Sequence, residues 1–151
     1  MTQTSLFDDT GGGPLDEVIV YCDGGSRGNP GPAAIGAVVL DGATDPPRRL
    51  ATVSERIGHT TNNVAEYRAL IAGLEAAAPF GARRVRVRAD SLLVVQQLKG
   101  LWKVKQPHLR PLHEQARRLL ARYADVDLRH VPREQNVDAD ALVNAALDAV
   151  P

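Results

Sequence analysis

Four carboxylates in this chain stand where side chains rarely sit by chance. Asp23 closes the apolar run "VIVYC", and Asp90 closes the alternating run "RRVRVRA". Glu66 precedes Leu70, Gly73 and Leu74 at helical spacings, so it lies toward the apolar side of its helix. Asp140 falls in the first turns of a final helix, beside its apolar stripe. Taken singly, each has an ordinary explanation: a turn former at Asp23, a charge favoured by the helix dipole at Glu66 and Asp140. An ionised carboxylate facing a core is costly unless it is paired or holds a cation. If the strands ending at Asp23 and Asp90 lie parallel and adjacent, both acids emerge at one carboxyl edge, where open α/β sheets place ligands. A carboxylate cluster with a single cysteine, Cys22, and no His-rich motif suits a hard cation, magnesium or manganese rather than zinc. Carboxylate-held magnesium commonly works on phosphates, and two ions can serve the attacking water and the departing oxygen of one phosphodiester.

The elements that must position these acids are legible from periodicity. Strand patterns run over Glu17–Cys22, Ala34–Leu40 and Ala51–Ile57, and a helix is expected from about Val64 to Ala78. "RRVRVRAD" reads as a strand and "SLLVVQQLKG" as a short helix. "LWKVKQPHLRP" reads as an irregular connection and "LHEQARRLLARY" as a further helix. Val126–Val131 is a last strand, and a helix from about Val137 carries Ala139, Leu142, Val143, Ala146 and Leu147 on one stripe. This order implies an α/β sheet with an antiparallel start and later crossovers. The segment from Gly24 to Pro32, rich in glycine and proline, offers main chain that a sugar–phosphate backbone can approach closely.

Composition bounds the rest. The 151 residues suit one domain, with residues 1–16 read as a flexible tail and 17–151 as the folded unit. Net charge is zero, but the first 17 residues hold four acids and no Lys or Arg. The remainder therefore carries 18 basic against 14 acidic residues. No N-terminal signal pattern and no apolar run long enough to span a bilayer is present, which points to a cytoplasmic protein.

In its motifs the chain resembles type 1 ribonucleases H. "DGGSRGNPGPAAIG", "TTNNVAEYRAL", "ADSLLVV" and "HVPREQNVDADALVNAA" are similar to that family's four motifs, in order and each with its acid. The likeness runs from Glu17 to about Asp148 and fits the compact, archaeal-like branch without a long basic protrusion. It implies an RNase H-like fold: a five-stranded mixed sheet, its first three strands antiparallel, flanked by helices. It also implies hydrolysis of the RNA strand of RNA–DNA hybrids with two magnesium ions, manganese being a substitute, leaving 5′-phosphate and 3′-hydroxyl ends. Asp23, Glu66, Asp90 and Asp140 then become metal ligands and His130 a helper in proton transfer or product release. Asp140 is preferred over Asp138 because it precedes "ALVNAA" and stands ten residues after His130. Gly24 matches a contact to the RNA strand. Asn62 and Asn63 match a pair reading the minor groove, and Asn29 and Thr61 match contacts to DNA phosphate. Leu92 departs from the glutamine common at its place. Trp102 is expected to pack, with Lys99, Lys103 and Lys105 near enough for backbone contact. A monomer without an obligate protein partner is expected.

Overall fold

The computed structural model describes residues 15–149. Three antiparallel strands come first: β1 (Glu17–Ser26), β2 (Gly31–Asp41) and β3 (Arg48–Thr60). Helix α1 (Asn62–Ala77) crosses to β4 (Arg84–Ala89), and α2 (Leu92–Leu98) and α3 (Arg110–Leu120) lead to β5 (Asp125–His130). Helix α4 (Val137–Asp148) ends the fold. The sheet order is β3-β2-β1-β4-β5, with β4 parallel to both β1 and β5. The fold class read from the sequence therefore stands.

Alternation decides the layers. Val18, Val20 and Cys22 of β1, with Ile35, Ala37 and Val39 of β2 and Val85, Val87 and Ala89 of β4, face α1 in the main core. The alternate residues of β2 face α4, where Ala34 packs with Val143 and Ala146. Both helices approach the sheet over glycine. A Cβ on Gly73 of α1 would stand 2.7 Å from Val20 Cγ1. One on Gly36 of β2 would stand 2.4 Å from the Ala139 carbonyl oxygen of α4.

Several boundaries differ from those expected, β3 among them at Arg48–Thr60 rather than Ala51–Ile57, and three differences have a plain physical origin. β1 does not end at Cys22. Its parallel pairing with β4 stops at Cys22↔Ala89, but its antiparallel pairing with β2 continues through Asp23↔Gly36 to Ser26↔Ala33. Gly24 and Gly25 suggest a turn by composition, yet pairing to β2 keeps them extended. α3 begins at Arg110, two residues before the expected start, because Pro111 sits in its first turn, where a missing N–H costs nothing. Of the expected tail, residues 1–14 lie outside the described residues. Leu15 and Asp16 join the fold, the Leu15 N–H donating to Phe80 (3.3 Å) and the Asp16 carbonyl accepting from Arg84 (3.1 Å).

The tight seat of α4 yields a prediction. Gly36→Ala forces Ala139 and Leu142 away from β2, and over-packing of this kind costs ~1–3 kcal/mol. Urea unfolding of the variant should show a lowered midpoint; an unchanged midpoint would mean that α4 yields without cost.

Candidate active site

The register of β1 and β4 brings the first two acids together. Cys22 pairs with Ala89, so Asp23 and Asp90 are the next residues along two adjacent parallel strands. Glu66 enters from α1, one turn after the N-cap Thr61, whose side-chain oxygen accepts from the Val64 N–H (3.3 Å). One oxygen each of Asp23, Glu66 and Asp90 lie within 4.8 Å of one another. Asp140 enters from α4 on the other face of the sheet. All four line one cleft of about 410 Å³, together with Gly24, Ser26, Asn62 and two arginines, Arg27 and Arg133.

Glycine has a structural reason at the centre of this site. A Cβ on Gly24 would stand 2.2 Å from the Ala65 carbonyl oxygen, so only glycine lets α1 lie this close to β1. The Gly24 N–H in turn donates to Glu66 Oε1 at 2.8 Å and orients that carboxylate.

Two of the acids, Asp23 and Glu66, have raised proton affinities. Asp23 is pushed from 3.8 up to about 8, by burial first and then by the neighbouring charges and hydrogen bonds of Asp90 and Asp140. Glu66 is raised by burial and by Asp23 and Asp90, with the Gly24 N–H pulling the other way. Asp90 Oδ1 is buried without a hydrogen-bond partner. A buried oxygen with no donor, among carboxylates that repel, is the electrostatic signature of a site short of positive charge. The donor set is all oxygen, which fits a hard divalent cation.

The remaining expected residues divide. Asn62 lines the cleft, its N–H donating to Asn29 Oδ1 (3.1 Å) and its Oδ1 accepting from the Ser26 N–H (2.9 Å). Asn29 and Thr61 lie outside the lining, Asn29 joined to it only through Asn62. Asn63 is half-buried and outside the lining. His130 ends β5 opposite Ala89, exposed and likewise outside the lining. Asp138 turns away, pairing with Arg49 of β3 at 3.3 Å. Leu92 is exposed on the first turn of α2. Trp102 does not pack as expected. It is 44% exposed, and beside it the Gln97 side-chain amide donates to the Lys103 carbonyl (3.1 Å). Lys99, Lys103 and Lys105 are exposed beside it.

Some cleft residues escaped the sequence reading. Arg133 Nη2 lies 3.4 Å from Asp140 Oδ1, and Asn144 Nδ2 donates to Asp140 Oδ2 at 3.5 Å. Asn144 could have been found, since it lies four residues after Asp140 on one helix. Arg133 sits in a short turn with no periodicity to mark it.

The sheet order, with acids gathered at its carboxyl edge, defines the ribonuclease H-like class of α/β domain. Residues 21–146 match the Reverse transcriptase-like family. The chain is 50% identical over 133 residues to the bifunctional protein Rv2228c of Mycobacterium tuberculosis, covering 88% of this chain and 36% of that protein. The solved N-terminal RNase H domain of Rv2228c superposes with a TM-score of 0.83 at 49% identity, covering 87% of this chain and 99% of that one. Ribonuclease HI of Halobacterium salinarum is 50% identical over 131 residues, covering 87% of this chain and 64% of that protein. LC11-RNase H1, solved in complex with an RNA/DNA hybrid, gives a TM-score of 0.80 at 44% identity, covering 87% of this chain and 96% of that one. The chain belongs to the type 1 ribonuclease H family of enzymes. It spans about a third of the length of the mycobacterial protein and just under two thirds of the halobacterial one.

The raised carboxyl of Asp23 has a measurable consequence. A group with a higher pKa folded than unfolded contributes stability that is full below about 3.8 and lost as pH rises through about 8. In chelator, the thermal midpoint should fall across that window. Asp23→Asn should flatten the fall, and millimolar magnesium should offset it at its upper end. A wild-type midpoint that does not fall over this range would show that the acids are not crowded as described.

Proposed function

We propose that this chain hydrolyses the RNA strand of RNA–DNA hybrids, leaving 5′-phosphate and 3′-hydroxyl ends. The observation that carries the reading is the convergence of Asp23, Glu66 and Asp90 within 4.8 Å, with Asp90 Oδ1 buried and unpaired. Asp23, Glu66, Asp90 and Asp140 would hold the divalent cations, magnesium first and manganese as substitute. Cations so held would supply Lewis-acid stabilisation to an attacking water and to the departing 3′-oxygen, one ion for each oxygen.

The chain's own residues do the rest. Gly24 keeps Glu66 aimed through its N–H, and its bare main chain lets an RNA strand come close, where the 2′-hydroxyl separates RNA from DNA. Asn62 and Asn63 are assigned to the minor-groove edges, Asn29 and Thr61 to the DNA phosphates. Lys99, Lys103 and Lys105 add exposed positive charge that a polyanion would meet. His130, at the end of β5 next to the strand that carries Asp90, is assigned to proton transfer or product release. No helix among the described residues is long and apolar enough to cross a membrane. A cytoplasmic monomer is the proposed working form.

The test is a substrate panel: matched RNA–DNA hybrid, double-stranded RNA and double-stranded DNA, each with magnesium or with chelator. Cleavage of the hybrid's RNA strand in magnesium alone is the expected result. Tight hybrid binding without cleavage would make the chain a binding module, and cleavage of DNA would make it a different nuclease.

Geometry also ranks two neighbouring acids. Asp140→Asn should lower the single-turnover rate ~10³-fold, comparable to losing a principal electrostatic element of a site. Asp138→Asn, which breaks only an exposed pair with Arg49, should keep most of the activity. The reverse ranking would move the fourth ligand to Asp138.

A further inference from the structure

Asp23 and Asp140 lie 117 positions apart and on different elements, and something must fix the one against the other. The apolar packing of α4 does this only in part. Gly36 sets how close the helix stands to the sheet, and Ser54 Oγ donates to the Leu142 carbonyl at 2.7 Å, but these contacts hold α4 to β2 and β3 rather than to β1. Asn136, the N-cap of α4, offers what the packing lacks.

Its placement is unusual for a cap. An N-cap asparagine commonly turns its side-chain oxygen onto its own helix. Asn136 makes no such bond. Its side chain is 1% exposed and turned toward β1, where Nδ2 donates to the Cys22 carbonyl at 2.9 Å. That carbonyl belongs to the same peptide unit as the Asp23 amide. At the other end, the Asn136 carbonyl accepts from the Asp140 N–H at 3.0 Å. One residue thus joins the backbone of both acids by two hydrogen bonds. Asn136 Oδ1, meanwhile, is buried with no partner. A bond to its own helix has been given up and an acceptor left unsatisfied, so retention of this side chain here is not explained by helix capping.

We propose that Asn136 is a positioning residue: its bond to the Cys22 carbonyl fixes the register of α4 against β1 and so brings Asp140 to Asp23. The inference rests on the reading of those two acids as cation ligands. Asn136 touches neither cation nor substrate. It acts through the ligand geometry, as the hydrogen-bonded supports of metal ligands do, whose loss typically costs ~10–100-fold in metal affinity.

The test uses Asn136→Leu, of similar size but without a donor, and Asn136→Ser as a smaller polar variant should the first fail to fold. Circular dichroism and thermal unfolding establish that a variant is folded. Calorimetry then gives its affinity for magnesium alone, and binding in chelator gives its hybrid affinity. The expected result is magnesium affinity lowered ~10-fold or more, with hybrid affinity in chelator within about twofold of wild type. A double-mutant cycle with Asp140→Asn follows, because a residue acting through Asp140 should add little once that carboxylate is gone. Wild-type magnesium affinity in a folded variant overturns the proposal. So does a loss that simply adds to that of Asp140→Asn. A wild-type protein that binds no magnesium would instead sink the functional reading itself, so the two failures are told apart.

Discussion

Like charges held close in a partly buried cleft are the constraint on which the rest of this structure depends. Carboxylates that share a site repel, and burial strengthens the repulsion by removing the water that would screen it. Asp23 shows the result, its proton held until about pH 8. Such a cluster persists only if the frame is stiff enough to hold it or if cations neutralise it. The frame has both properties: it is held from several sides, and it leaves an unpaired oxygen at Asp90 for something positive.

The stiffness comes from close approach. Parallel pairing of β1 with β4 fixes Asp23 beside Asp90 through main-chain hydrogen bonds alone. Gly24 and Gly73 seat α1 against β1, which brings Glu66 to the same edge, and Gly36 seats α4. Each glycine stands where a single methyl group would collide with backbone or a packed side chain. The site's acids and the fold's glycines are thus two halves of one arrangement: small residues let the helices in, and the helices carry the charges.

Much of this was legible in the sequence, for a physical reason. Apolar alternation locates β1 and β4, and an acid directly after each run marks a sheet edge. Helical spacing puts Glu66 on the buried side of α1 and Asp140 beside the stripe of α4. What stayed hidden depends on pairing rather than on periodicity. The extension of β1 through Gly24 and Gly25 is imposed by β2, and no local pattern announces it. Trp102 stays 44% exposed on an irregular connection whose path no periodic pattern announces. Arg133 and Asn136 sit in a turn without period, so their nearness to Asp140 and to Cys22 becomes visible only in three dimensions.

The central claim is that the four acids form a divalent-cation site. Anomalous diffraction from crystals of the full chain soaked in manganese tests it most directly. The account predicts anomalous density in the cleft, within bonding distance of Asp23 and of at least two among Glu66, Asp90 and Asp140. Density only at surface acids outside the cleft, or none at all at millimolar manganese, would contradict it.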